Sequence, residues 1–479
     1  LCTDPSELSA CDLAKSIASR QVSAVEVVER YIERIEAINP RINAIVSFVP
    51  ERALREAQLC DARLSKGELI GPLHGVPMAF KDNHDVAGLP TTYGSRLYRG
   101  NIARSDSFCV DSLRKAGVVT LGKTNIPEFG AGGHTYNDLF GLTSNPWDTG
   151  RSAGGSTGGG AAAVSAGISA LADGSDVAGS LRVPAAFCGV LGLRPSVDAG
   201  CFSPSTPSVF PLRVVGPIGR CVADLALAMT VMSRSDLRAP MSSDRLSREL
   251  SRQEVALRSD VSRLNIAYSE DVGGLMEVDE EARFAVKYAA AAFSSLGCEV
   301  AEACPDFSGA GEAFRTLRAW DFEVRLGKIV RSNPGQVRQV IVDEVAVGAA
   351  LTGSDIARAI ESQSATYHRT RIFFEKYDLL ILPVSPVGPF DNSREVPLSP
   401  SGHEYVTYID WLEACFVITV AGNPALSMPV GVCSNGLVRS VQLVGQHRDE
   451  LGLLRAAQAF EEMVFPAGRL ELKPDIDLD

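Results

Sequence analysis

The chain has 479 residues, a formal net charge of −12, 45% hydrophobic and 22% charged residues. That balance excludes a disordered chain and argues against nucleic acid or an anionic membrane surface as partner, because an acidic protein is repelled by both. At about 150 residues per domain the length would allow about three domains, but the motifs below are spread from residue 71 to residue 431, which predicts one domain over 1–466 and a polar tail over 467–479.

Ser23-Ala24-Val25-Glu26 is a capping box, and Val28, Tyr31, Ile32, Ile35 and Ile38 follow at helical spacing, so a helix is expected there, ended by Asn39-Pro40. Residues 106–116 read as a second helix closed by Gly117, with Val118 to Leu121 as a buried strand. Ala161 to Gly167 reads as a close-packing helix of small residues. Further on come a strand (Leu264 to Tyr268), a helix (Val278 to Leu296) with Gly297 past its end, and a short strand (Cys298 to Val300). A long helix (Asp355 to Lys376), a strand (Leu379 to Val384) and a late helix (Asp449 to Glu462) complete the series. Helices alternating with short β-rich runs predict an α/β fold with helices on both faces of a sheet. Residues 306–350 and the Pro- and Ser-rich 385–410 lack the core pattern; they are expected either to wall a pocket or to be surface excursions.

The 11 cysteines are scattered and none forms C-x-x-C, which reads as reduced thiols of a cytoplasmic protein. No His/Cys cluster has metal-ligand spacing, so neither metal nor cofactor is expected. Ala161 to Ala172 is too short and too polar to span a bilayer, and no secretory leader is apparent.

Chemistry is concentrated between Ser152 and Cys188. Two serines stand there on Gly-rich turns: Ser156 in GGSTGGG and Ser180 in DVAGSLRVP. Such glycine density is needed where the backbone bends sharply or approaches another group closely. A serine hydroxyl needs a nearby base. The run Gly154-Gly155-Ser156-Thr157-Gly158 fits the nucleophile elbow of α/β-hydrolases, but no strand pattern precedes it, as that elbow requires. A phosphate-binding loop is a weaker rival, since the Gly-Lys-Ser/Thr ending is missing. Lysine is the other base: Lys81 follows the apolar Val76, Pro77, Met78, Ala79 and Phe80, and burial disfavours an ammonium.

With these residues the chain resembles the amidase signature family of serine hydrolases. The motifs that carry the resemblance are GPLHGVPMAFKDNHDVAGLPTTYGS (71–95), GKTNIPEFGAGG (122–133), the double-serine stretch, GPIGRCVADLALAM (216–229), DLLILPVSPV (378–387) and AGNPALSMPVG (421–431). They occur in the family's order over nearly the whole chain, and 24 residues separate Ser156 from Ser180, as in the family pattern. The resemblance implies a mixed central sheet covered by helices and a Ser–cis-Ser–Lys triad. In it Ser180 is the nucleophile, Ser156 the bridging serine joined to Gly155 by a cis peptide, and Lys81 the base. It further implies an oxyanion hole of the backbone N–H groups of Val177, Ala178, Gly179 and Ser180, with Thr157, Asp176 and Arg182 as supports. Gly130, Ala131 and Gly132 would line the acyl side of the pocket. Two positions depart from the family: Ala178 stands where Gly is usual, and Thr157 where Ser is frequent.

The implied activity is hydrolysis of amide C–N bonds through an acyl-enzyme, on small aryl or hydrophobic amides, with esters and carbamates as further substrates and water as acyl acceptor. A monomer or a homodimer is compatible with this. One alternative is the glutaminase-type subunit of a tRNA-dependent amidotransferase, although LRPSVDAGCFSPSTPSVFPL replaces the YGRVSRYGL-like stretch typical of that protein. A catalytically silent binding scaffold is the other.

Overall fold

The computed structural model describes residues 4–200, 209–210, 212–252, 257–466 and 474–476. The tail expected over 467–479 therefore lies outside the described residues except for 474–476. The first half runs α1 (Ala10–Ala18), α2 (Ala24–Ile42), β1 (Ile45–Phe48), α3 (Pro50–Ser65), β2 (Pro77–Lys81), α4 (Phe108–Lys115) and β3 (Val119–Thr124). It continues through a small hairpin, β4 (Tyr136–Asn137) and β5 (Gly141–Leu142), to α5 (Gly158–Ser165), β6 (Leu171–Asp176), α6 (Arg182–Cys188), β7 (Leu191–Arg194) and β8 (Val214–Gly219). The second half runs α7 (Val222–Met232), α8 (Arg245–Arg252), β9 (Asn265–Tyr268), α9 (Glu280–Ser295), β10 (Glu299–Glu302), α10 (Ala310–Ser332), α11 (Gln339–Ala350) and α12 (Gly353–Phe373). It closes with β11 (Leu379–Pro383), α13 (Glu413–Ala421), β12 (Ala425–Val432), β13 (Val438–Gly445) and α14 (Glu450–Val464).

Eleven strands form one mixed sheet in the order β1-β3-β2-β6-β8-β7-β12-β13-β11-β9-β10. Successive side chains of a strand point to opposite faces, and the sheet uses both. On β11, Leu379 and Ile381 enter the core shared with α2, α7, α9 and α14, whereas Leu380 and Leu382 enter the core shared with α10 and α13. An α/β sandwich with helices on both faces is what the alternation of elements predicts.

The capping box at Ser23 is present, with Ser23 and Glu26 bonding each other's backbone N–H. Asn39-Pro40 does not end that helix; α2 continues to Ile42. The proline falls in the last turn, where Asn43 adopts a left-handed conformation and donates its N–H to Asn39 O at 2.7 Å. The Asn39 side chain then reaches forward to accept the N–H groups of Ala44 (2.9 Å) and Ile45 (2.8 Å), aiming the chain into β1. Helix α5 starts at Gly158, three residues before its expected start at Ala161. A Cβ on Gly159 would lie 2.4 Å from the backbone nitrogen of Asn125, so the glycine run is a close-packed helix start. Residues 306–350 contain α10 and α11, while 385–409 carries only turns and isolated bridges.

The sheet order brings the key residues together. β2 and β6 are parallel neighbours, so the end of β2 at Lys81 and the end of β6 at Asp176 leave the sheet at the same edge. β8 is antiparallel to β6 and begins at that edge, which places Arg213 there. Sites in α/β sheets form outside the carboxyl ends of strands.

Candidate active site

Lys81 is fully buried at the end of β2. Its Nζ lies 2.9 Å from Ser156 Oγ, 2.7 Å from Thr157 Oγ1 and 3.3 Å from Ser175 Oγ. Burial lowers its pKa from 10.5 to about 7, with Arg213 pushing the same way and Asp173 and Asp176 opposing. Near neutral pH the amine is therefore available as a base. Thr157 keeps the hydroxyl that a serine would offer at this position and makes the shortest contact of the three.

The Gly155–Ser156 peptide bond is cis. Ser156 is 2% exposed and lines a cavity of about 560 Å³. Ser180, half-buried, lines the same cavity from the turn between β6 and α6, as do Val177 and Ala178. In that turn only Gly179 takes a positive φ, +101°. Ala178, standing where the family usually has glycine, is thus unstrained, because the left-handed residue is the next one. Gly179 is required twice over: a Cβ there would lie 2.6 Å from Cys415 Cβ.

Gly179 departs from its expected role. Its N–H donates to Asp176 Oδ1 at 3.0 Å, so it faces the support and not the cavity. Asp176 also accepts the N–H of Leu181 at 3.1 Å and a two-pronged contact from Arg182, Nε at 3.1 Å and Nη2 at 2.8 Å. Burial works against its charge, but Arg182, Arg194 and these N–H groups hold its carboxyl well below the usual range. Arg182 also donates to Cys415 O at 2.9 Å and Gln442 Oε1 at 2.6 Å, tying the turn to α13 and β13. The pair is fully buried. Arg182→Ala leaves that carboxylate without its main partner and is expected to cost about 3–5 kcal/mol of stability, read by denaturant melts. A loss below about 1 kcal/mol would show that the pair does not hold the turn.

Gly130 and Gly132 line the cavity, and an ideal Cβ on Gly130 would lie 3.6 Å from Ser156 Oγ. Ala131 does not line it; its methyl packs with Phe322, Leu326 and Ile341 and borders an adjacent cavity of about 380 Å³. His134 is also outside the serine–lysine cluster, with Nδ1 2.7 Å from Ser152 Oγ. Among the described residues no group of three His, Cys, Asp or Glu is placed to hold a metal, and no helix is long and apolar enough to cross a membrane.

Several cavity residues carry no local sequence signal. Helix α10 supplies Arg318, Asp321, Phe322 and Arg325, and Tyr408 comes from the end of the 385–410 segment. Arg213 pairs with Asp321 at 2.5 Å, across 108 residues. The same cavity is lined by an aromatic cluster. Tyr93 and Tyr98 meet edge to face at 5.2 Å, and Phe129 stacks on Tyr93 at 6.2 Å. Tyr93 (φ 54°) and Phe129 (φ 52°) both hold left-handed backbone, unusual for bulky residues. Phe129 N–H donates to Tyr93 O at 2.7 Å, and Tyr93 N–H to Asp82 O at 3.2 Å, next to Lys81. A signal was available for Asp173: a second aspartate three residues before Asp176, inside the strand run LADGSD, marks a buried carboxylate with a task.

The comparisons agree with this geometry. The model of the Amidase family matches residues 26–454. The chain is 38% identical over 457 residues to an acylamidase of Rhodococcus erythropolis, covering 95% of both chains. It is 33% identical over 476 residues to a glutamyl-tRNA(Gln) amidotransferase subunit of Synechococcus sp. (strain JA-3-3Ab), covering 94% of this chain and 91% of that one. The crystal structure of a bacterial aryl acylamidase of the amidase signature family superposes with a TM-score of 0.87 at 28% identity, covering 95% of this chain and 96% of that one. The chain belongs to the amidase family and is a hydrolase acting on amides.

Proposed function

We propose that the chain hydrolyses aryl or hydrophobic carboxamides through an acyl-enzyme on Ser180, and accepts esters and carbamates by the same route. The observation that carries the reading is the buried Lys81 amine in contact with Ser156, which lines the same cavity as Ser180. Ser180 Oγ attacks the carbonyl carbon and passes its proton to Ser156 Oγ, whose own proton moves to Lys81 Nζ. The oxyanion is met by the N–H groups of Val177, Ala178 and Ser180. The tetrahedral intermediate collapses as the leaving nitrogen takes a proton back through Ser156. Water then attacks the ester carbonyl by the same relay and releases the acid.

The aryl preference rests on the Tyr93–Tyr98–Phe129 wall, a fixed aromatic face for edge-to-face or stacked contact. The acylamidase and aryl acylamidase relatives support it. The test is a panel of p-nitroacetanilide, benzamide, an aryl carbamate and glutamine. The anilide and the carbamate are expected to turn over with kcat/KM up to about tenfold above glutamine for each aromatic contact pair, which is worth about 0.5–1.5 kcal/mol. Activity confined to glutamine would move the chain to the amidotransferase reading.

A further inference from the structure

Two buried groups beside Lys81 take no part in that relay. Asp173 is fully buried on β6, two residues before Ser175 and so on the same side of the strand. One carboxylate oxygen accepts the backbone N–H of Lys81 at 2.9 Å. The other pairs with Nδ1 of His84, an imidazole 3% exposed that lines the catalytic cavity. His84 is itself tied down: its N–H donates to Lys81 O at 2.9 Å, and its carbonyl accepts Lys123 Nζ at 2.7 Å. The Lys81 backbone and the His84 imidazole thus share one carboxylate across a fixed turn.

The other charges nearby are accounted for. Asp176, which also faces Lys81 from β6, is committed to Arg182 and Arg194. Arg213, at the start of β8, repels the ammonium and is paired with Asp321. Lys123 on β3 lies 3.6 Å from Asp82. The Cys109 thiol of α4, which also senses Asp173, is pushed up by burial and stays uncharged. Asp85 follows His84 on the cavity wall. Asp173 acts on Lys81 while paired with an imidazole and felt also by the buried Lys123, whereas the charge of Asp176 is matched directly by two guanidinium groups.

We propose that Asp173 and His84 are a positioning pair for the base, in which the charge on the imidazole sets how firmly Lys81 holds its proton. The inference rests on the triad reading above. A protonated His84 neutralises Asp173 and leaves Lys81 with the repulsion of Arg213, which favours the free amine. A neutral His84 leaves the Asp173 charge acting on Lys81, which favours the ammonium.

The test is the rate at which a fluorophosphonate labels Ser180 as a function of pH, a readout that needs no knowledge of the substrate. Asp173→Asn keeps the side-chain volume and an oxygen for the Lys81 N–H but removes the charge; the acid limb is expected to move to lower pH by about one unit. His84→Gln keeps a donor to Asp173 but removes the competing cation; the limb is expected to move to higher pH by about one unit. Opposite shifts are the signature, since loosened packing alone would admit water to Lys81 and move the limb of both variants to higher pH. Unmoved limbs, or shifts in one direction, overturn the pair. If Asp173→Asn does not fold, His84→Gln is read together with its melt: an upward shift in a variant as stable as wild type supports the pair, and no shift, or a shift seen only with lost stability, overturns it. A wild-type protein unlabelled at every pH refutes the triad reading itself.

Discussion

Ser180→Ala is expected to lower kcat for amide hydrolysis by on the order of 10⁵-fold or more, with KM close to wild type. The substitution removes one oxygen from a half-buried turn residue that lines the cavity. The backbone of the turn is held by other groups: Asp176 accepts the N–H of Gly179 and of Leu181, and the Thr157 N–H donates to Ser180 O at 3.3 Å. The N–H donors therefore survive, as does the Lys81–Ser156 contact. What remains is the residual catalysis of a site that binds and polarises but has no nucleophile. The check is steady-state turnover of the anilide by purified variant and wild type, with melts of both. A folded variant retaining more than about 1% of wild-type kcat would remove Ser180 from the nucleophile's role.

Lys81→Met is expected to give the second large effect, and it separates function from stability. Activity should fall by on the order of 10⁴-fold, because Ser156 loses its proton acceptor. The wild-type kcat/KM should rise with pH through about 7, where Lys81 becomes the free amine. The stability of the variant should move opposite to its activity. The Lys81 pKa is 10.5 unfolded and about 7 folded, so between those values the unfolded chain binds the extra proton and stability rises with pH. Below about pH 7 the burial penalty is fully present. A methionine of similar length carries no charge, so the variant is expected to exceed wild type by on the order of a few kcal/mol near pH 6. The gain should shrink towards pH 10. Lost hydrogen bonds to Ser156, Thr157 and Ser175 reduce the gain but do not change its pH dependence. Denaturant melts at pH 6 and pH 9 make the comparison. A variant less stable than wild type at pH 6 would mean that the buried amine is better solvated than its surroundings imply.

The reactive core was legible in the sequence because its parts are local. Ser156 and Ser180 sit on glycine turns 24 residues apart, and Lys81 ends an apolar run that reads as buried. The helix at Ser23 was legible from its cap. What stayed hidden depends on pairings between distant segments. Nothing around Arg213 announces Asp321, and nothing in 385–410 announces that Tyr408 meets Arg318 on α10. The start of α5 was misplaced because three glycines argue against a helix by propensity, whereas Gly159 is there to let the helix touch the Asn125 backbone. The Gly179 N–H was misassigned for a similar reason: a motif gives the order of residues in a turn, but which N–H faces Asp176 is decided in three dimensions.

The most direct test of the central claim is to map the adduct after treating the active protein with a fluorophosphonate. The account predicts one phosphonyl group per chain, on the peptide bearing Ser180, with amide hydrolysis lost in proportion to labelling. Labelling of another residue, or full hydrolysis by a chain that carries the adduct on Ser180, would contradict it.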